Sequence, residues 1–115
     1  MAGEAVQAHL GKSIVVRGEV RGSEDLIIEG RVEGSVMLNN GRLTIGPSAR
    51  VQADLAARDV LVLGAVIGNI SASGRVELRA GSEVIGDIRS TRLAVEDNAV
   101  FRGKVELAVS GAVQL

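Results

Sequence analysis

The residues that could support chemistry are few, and they do not form a catalytic pattern. His9 is the single histidine, and the chain contains no cysteine. A Ser-His-Asp or Cys-His arrangement needs an imidazole beside its nucleophile, and His9 precedes the repeated part of the chain. The sequence therefore predicts no catalytic residue, no thiolate metal site and a protein that is not an enzyme.

One short motif suggests phosphate binding at first sight. Gly11, Lys12 and Ser13 are similar to the last three residues of a phosphate-binding P-loop. The first glycine of that motif would fall at Val6, and the residues after Ser13 alternate like a strand where the motif requires a helix. We therefore expect no nucleotide binding and no cofactor.

The charged residues do not indicate a metal or nucleic-acid site. Acidic side chains are spread along the chain instead of clustered, which does not favour calcium or magnesium. Glu77 and Glu96 could stack as paired carboxylates, although two exposed like charges are the simpler interpretation. With 13 basic and 14 acidic residues the net charge is −1, whereas a protein that binds duplexes usually has a basic excess. Nucleic acid is therefore not an expected partner.

A short aliphatic repeat organises most of the chain. Each repeat contains alternating Val, Ile or Leu residues broken by glycine or charged pairs, which is typical of strands joined by tight corners. One repeat could not bury its apolar residues alone, but stacked repeats could. The repeats begin 16 or 17 residues apart, at Leu26, Leu43, Val60, Val76 and Leu93. The predicted fold is therefore all-β, a single-domain parallel β-helix (β-solenoid) of about six coils of 16–17 residues.

The composition supports a narrow, layered interior. Hydrophobic residues make up 46% of the chain, yet there is one Phe and no Trp or Tyr. The first coil is predicted to be incomplete, opening at Ile14, with the polar Glu24 in a column that is apolar in later coils. A small residue is expected at one corner of every coil, because the backbones cross closely there: Gly22, Gly34, Ala53, Gly68, Gly86 and Gly103.

The repeat also sets the predicted domain boundaries. Residues 1–12 are expected to form a flexible N-terminal tail, residues 13–107 the β-helix domain and residues 108–115 a short C-terminal tail. No run is as long as a transmembrane helix, and the N-terminus lacks the regions of a signal peptide. We therefore expect a cytoplasmic protein.

The two ends of the solenoid are the candidate functional surfaces. Unpaired strand edges are templates for another copy, and end-to-end contacts that do not close generate filaments. A net charge near zero does little to keep copies apart. The sequence predicts a polymer interface with one contact at each end: Ile14, Val16 and Val20 at the first, and Phe101, Val105 and Leu107 at the second.

Several stretches resemble the bactofilins, a family of bacterial polymer-forming cytoskeletal proteins. They are Val20–Gly30 (VRGSEDLIIEG), Arg31–Val36 (RVEGSV), Val66–Ile70 (VIGNI) and Val84–Ile88 (VIGDI). The resemblance implies a right-handed β-helix with three faces, and the crossover preference of parallel strands favours the same hand. It also implies nucleotide-independent filaments, a scaffold role in cell shape or in positioning cell-wall enzymes, and contact of a terminal tail with the inner membrane. For this chain, the expected tail is the N-terminal one.

Two alternatives have different expected properties. Left-handed β-helix acyltransferases repeat in hexapeptides and typically use a histidine, whereas the inward columns here do not recur every six residues. A monomeric β-solenoid that presents one charged face would be a binding scaffold. It would remain monomeric at high concentration, which distinguishes it from a filament subunit.

Overall fold

The structure, a computed structural model, describes residues 7–107, with side chains from His9 onward. Within these residues the chain forms only strands, and all paired strands are parallel. In chain order the fifteen described strands are β1 Gln7–Leu10, β2 Val15–Gly22, β3 Asp25–Ile28, β4 Arg31–Leu38, β5 Arg42–Ile45, β6 Arg50–Ala57, β7 Asp59–Val62, β8 Ala65–Ile67, β9 Ile70–Ala72, β10 Arg75–Leu78, β11 Glu83–Ile85, β12 Ile88–Ser90, β13 Arg92–Val95, β14 Val100–Arg102 and β15 Val105–Leu107.

The strands form a solenoid with three faces. Face 1 is a six-stranded sheet in the order β1-β3-β5-β7-β10-β13. Face 2 contains the first halves of β2, β4 and β6, followed by β8, β11 and β14, and face 3 contains their second halves, followed by β9, β12 and β15. Each coil contributes one strand segment to every face, so the described residues form six coils. The predicted β-solenoid is confirmed.

Inward side chains line up in columns because the strands are in register. On face 2, Val32 pairs with Val51, Val51 with Val66, and Val66 with Val84. All four are buried. Period-2 alternation places every second residue inside, and the constant coil length brings like residues over one another. The core is thus a stack of aliphatic layers, which explains why the chain needs almost no aromatic residues.

Small residues fill the corner between faces 2 and 3, and glycine stands there in every coil except that of Ala53. Gly86 has a φ of +141°, and a Cβ built there would overlap the carbonyl oxygen of Gly68 in the preceding coil. Gly34, Gly68 and Gly103 are constrained in the same way. The sequence predicted Gly22 as the member of this column in the first coil, and that prediction was wrong. Gly18 occupies the position, because it pairs with Gly34, whereas Gly22 pairs with Leu38.

The first coil begins earlier than predicted. Strand β1 pairs in register with β3 and places Leu10 beside Ile28, so residues 7–10 belong to the solenoid and not to a tail. The first coil is therefore complete, and Val20, not Glu24, pairs with Val36. The remainder of the predicted N-terminal tail, residues 1–6, and the predicted C-terminal tail lie outside the described residues.

Between residues 7 and 107, no helix is long and apolar enough to cross a membrane.

Candidate polymer interface at the two ends of the solenoid

Backbone hydrogen bonds join each coil to the next, and the first and last coils leave open edges. At the corner that leads from face 1 to face 2, the N–H of Arg31 donates to the carbonyl of Ile14 at 2.9 Å, and the N–H of Val100 donates to that of Ser82 at 2.9 Å. Strands β1 and β2 at one end, and β13, β14 and β15 at the other, each have a described strand on one side only. Among residues 7–107, both ends therefore present unpaired edges that could accept another chain.

The predicted N-terminal contact residues lie together at one end. Val16 and Val20 are half-buried and pack against the core, where they close the columns that continue through Val32 and Val36. Ile14 is 42% exposed. This end therefore presents two half-buried valines and one exposed isoleucine.

Ile14 is larger than the other residues of its column. Its carbonyl accepts the N–H of Arg31, as the carbonyl of Gly30 accepts the N–H of Arg50 in the next coil. Ile14 thus occupies a corner position that later coils fill with small residues: Gly30, Ala49, Gly64, Ser82 and Ala99. A Cβ at Gly30 would overlap the carbonyl of Ile14, so a large residue fits only in the first coil, where no described coil precedes it.

Two of the three C-terminal contact residues, Phe101 and Leu107, are also larger than the residues they pair with. Phe101 pairs with Val84 and ends the column that is valine in every other coil. Leu107 pairs with the buried Ser90 and is 52% exposed, while Val105 continues the column of Ile88. Ile14, Phe101 and Leu107 are therefore each larger than the residue at the same position of the adjacent coil, whereas Val105 is smaller than Ile88.

The two predicted contacts lie at opposite ends but share columns. Val16 and Phe101 begin and end one column, and Val20 and Val105 begin and end another. Each of these two columns therefore contributes one residue to each end layer. Burial of apolar side chains and new backbone ladders could both contribute to such a contact.

Sequence reasoning missed further apolar residues of the end layers. Leu10 packs against the core in the first coil, and Leu93 does so in the last, where Val95 is exposed. The signal for Leu93 and Val95 was present, because both belong to the last recognised repeat. Leu10 lies 18 residues before Ile28, a spacing close to the repeat.

Charged side chains contribute exposed ion pairs between coils. Glu96 pairs with Arg79 at 3.2 Å, and Glu106 pairs with Arg89 at 3.6 Å. Surface pairs of this kind add little stability. The suggested stacking of Glu77 on Glu96 does not occur, because Glu77 lies beside Ala94. Among residues 7–107, no group of three or more acidic or histidine side chains could hold a metal ion.

A rod of stacked coils with apolar side chains on two open ends has the architecture of a self-assembling structural protein. Comparison with known proteins agrees: the bactofilin family model, described as polymer-forming cytoskeletal, matches residues 8–106. The chain therefore belongs to the bactofilin family, as the resemblance predicted. It is a polymer-forming cytoskeletal protein, and membership of this family favours a structural role.

The individual relatives found by comparison are also bactofilins. The chain is 42% identical over 98 residues to bactofilin BacO of Myxococcus xanthus (strain DK1622), covering 85% of this chain and 77% of BacO. It is similar to the bactofilin of the Thermus thermophilus double helical filaments reconstructed by cryo-EM, with a TM-score of 0.80 and 31% identity over 88% of this chain and 99% of that one. It is also similar to the cytoskeletal bactofilin BacA determined by solid-state NMR, with a TM-score of 0.81 and 35% identity over 91% and 99% of the two chains.

Proposed function

We propose that this protein polymerises end to end through the apolar layers of its first and last coils. The contact residues are Ile14, Val16 and Val20 at one end, and Phe101, Val105 and Leu107 at the other. The observation that carries the proposal is that Ile14, Phe101 and Leu107 in the end layers are each larger than their counterparts Gly30, Val84 and Ser90 in the adjacent coil.

The proposed contact needs neither nucleotide nor metal. Its two contributions are burial of apolar surface, worth about 25 cal/mol per Å², and backbone hydrogen bonds between end strands. Neither depends on a bound group that is consumed or exchanged. We propose on the same grounds that the protein is a structural component and not an enzyme, which agrees with the description of its family.

The resemblance to bactofilins extends the proposal to the cell. The filament would be a cytoplasmic scaffold for cell shape or for positioning cell-wall enzymes, with the N-terminal tail in contact with the inner membrane. The bactofilin of Thermus thermophilus forms double helical filaments. We propose that two filaments of this protein likewise associate side by side.

Replacement of Phe101 tests the end contact. Purified protein without nucleotide or divalent metal is expected to form filaments in negative-stain electron microscopy, and Phe101→Arg is expected to leave short species. The arginine would place a charge in an apolar layer, where its desolvation is unfavourable. The matched control, Phe101→Leu, keeps an apolar side chain at the same position and should still form filaments.

Circular dichroism must show that both variants retain the β-solenoid. Filaments of Phe101→Arg that match the parent in length and number would exclude the C-terminal contact. A parent protein that stays monomeric at high concentration would exclude polymerisation and leave the monomeric binding scaffold.

A further inference from the structure

Two arginines lie side by side on face 1, in a column where the charges otherwise alternate. Over consecutive coils, this outward column runs Asp25, Arg42, Asp59, Arg75 and Arg92. Acidic and basic residues take turns as far as Arg75, and Arg92 then pairs directly with a second arginine. Neighbouring strands are about 4.8 Å apart, so like charges at paired positions repel each other. The column therefore keeps an unfavourable pair of charges on an exposed face.

The carboxylate between these arginines is already occupied. Asp59 accepts the backbone N–H of Arg75 at 3.1 Å through one oxygen and the Nε–H of Arg58 at 3.2 Å through the other. Among the ion pairs within 4.0 Å that join described residues, none involves the guanidinium groups of Arg42, Arg75 and Arg92. All three side chains are exposed. Their charges are therefore available to a partner.

A surface cavity joins the same arginines. Its volume is about 420 Å³, within the range of roughly 300–1,000 Å³ that is usual for ligand sites. Its charged lining consists of four arginines and two carboxylates: Arg42, Arg75, Arg79, Arg92, Asp59 and Glu77. The half-buried Leu61 adds an apolar side chain. The cavity is therefore basic, on a chain whose net charge is −1.

Face 2 has a similar pair of arginines without a basic excess. Arg31 pairs with Arg50 there, beside a cavity of about 490 Å³. The charged residues that line this second cavity are Arg31, Arg50, Glu33 and Glu83. Two arginines thus meet two glutamates on face 2, whereas four arginines meet two carboxylates on face 1. The pair on face 2 is accordingly a matched control for the pair on face 1.

We propose that the cavity on face 1 binds an acidic segment of a partner protein, with one carboxylate held by Arg42 and a second held by Arg75 and Arg92 together. Arginine suits this task because its planar guanidinium group donates two parallel hydrogen bonds to a carboxylate. An anion between Arg75 and Arg92 would also remove their mutual repulsion. The site lies within one subunit, so it goes beyond the end-to-end assembly and does not depend on it.

The spacing of the coils determines the spacing of the acidic residues. Three coil steps, about 14 Å, separate Arg42 from Arg92, and an extended peptide covers about 13 Å in four residues. A peptide that lies along the rod axis therefore places its two acidic residues four positions apart. Its middle residue faces the same way and falls between the levels of Asp59 and Glu77. The recognised pattern is thus acidic-x-apolar-x-acidic, because an apolar side chain in the middle meets Leu61 and avoids both carboxylates.

Other anionic partners match the cavity less well. A phosphate backbone or an anionic membrane surface is negative throughout, and its binding relies on runs of basic residues. On face 1, Asp59 and Glu77 interrupt such a run. A peptide can place an apolar residue at that level, which a row of phosphates cannot do.

The filament would strengthen a contact that is weak in one subunit. Exposed ion pairs add little affinity by themselves. Along a filament the same cavity recurs in every subunit, and a partner with several acidic segments forms its second and later contacts at high effective concentration. Single peptides should therefore bind weakly, whereas partners with several segments should be retained.

A labelled peptide tests the site on the full-length chain. The probe is fluorescein-labelled GSGESLSEGS, and its binding is measured by fluorescence anisotropy. Arg75→Gln with Arg92→Gln is expected to weaken binding about tenfold or more, because charge-assisted hydrogen bonds are lost. The control, Arg31→Gln with Arg50→Gln, removes the same two charges from face 2 and should change binding less than about twofold, since distant charges are screened. Circular dichroism checks that both variants keep the β-solenoid.

Two further peptides test the pattern of charges. GSGSEELSGS has the same composition as the probe with its acidic residues adjacent, and it is expected to bind several-fold more weakly. GSGESESEGS has an additional glutamate in the middle, and it is also expected to bind more weakly, because that side chain meets Asp59 and Glu77. An affinity that instead rises with the number of negative charges would show general electrostatic attraction and exclude the pattern.

The outcomes separate this site from polymerisation. Binding should be the same for parent filaments and for Ile14→Arg with Phe101→Arg, which lacks both end contacts. A parent that binds the peptide without forming filaments would overturn the end-to-end assembly alone. Filaments that fail to bind GSGESLSEGS, or equal binding by the variants of faces 1 and 2, would overturn the peptide site alone. Duplex DNA or phosphatidylglycerol vesicles that bind in place of the peptide, and are lost in the face 1 variant, would assign the cavity to that partner instead.

Discussion

At the scale of single residues, the solenoid is most sensitive where its backbone crosses a corner. Gly86 combines two constraints: a positive φ, and the carbonyl oxygen of Gly68 in the preceding coil, which a Cβ at Gly86 would overlap. Gly81 also has a positive φ, +87°, but a Cβ there would meet nothing within 4 Å. The two glycines therefore separate the effect of backbone conformation from the effect of stacking.

Gly86→Leu is expected to break the stack between the fourth and fifth coils. The side chain would have to displace the backbone of Gly68 in addition to adopting a strained φ, so we expect a loss of about 3 kcal/mol or more in the free energy of unfolding. Gly81→Ala should lose only about 1–2 kcal/mol, the effect of the left-handed conformation alone. Thermal unfolding followed by circular dichroism measures both, and similar midpoints would contradict the assigned crossing.

At the scale of elements, strand β1 shows how far the sequence could be interpreted. Its residues, Gln7–Leu10, include a histidine and a glutamine and have little strand propensity of their own. They form a strand because β3 offers a parallel edge, which is a tertiary effect. The later coils were predictable because each contains enough Val, Ile and Leu to show the period by itself.

Leu10→Ala tests whether β1 is part of the folded domain. Leu10 is half-buried against the core, so its truncation should lower the free energy of unfolding by about 1–2 kcal/mol, less than for a fully buried leucine. His9→Ala changes the neighbouring outward residue, whose imidazole lies 3.2 Å from Glu29 at the surface, and should have little effect. Urea denaturation of the two variants provides the comparison. Equal midpoints would show that Leu10 does not stabilise the domain and that β1 belongs to the tail.

At the scale of the whole molecule, the two ends were predictable and the outward columns of the three faces were not. Ile14 and Phe101 could be assigned to the ends because a linear repeat has a first and a last coil. That Arg50, Ala65 and Glu83 lie in one outward column depends on how separate coils align. Corners of different length hide that alignment in the sequence, and only the strand pairing reveals it.

Subunits with one functional end should act as caps. Phe101→Arg retains its N-terminal end, so a small fraction added at the start of assembly is expected to shorten parent filaments several-fold. A variant that combines Ile14→Arg with Phe101→Arg has neither contact and should leave the length unchanged. Filament lengths measured by electron microscopy decide the point, and equal shortening by both variants would show that the ends are not the contacts.

The direction of the hydrogen bonds between coils has a mechanical consequence. They run along the axis of the rod, because the strands lie across it. Tension on a filament therefore loads every coil boundary in series, and the weakest boundary determines its strength. Covalent corners connect coils within a subunit, whereas no covalent bond crosses the junction between subunits. An overstretched filament should accordingly fracture into whole, folded subunits, which are able to join again when the load is removed.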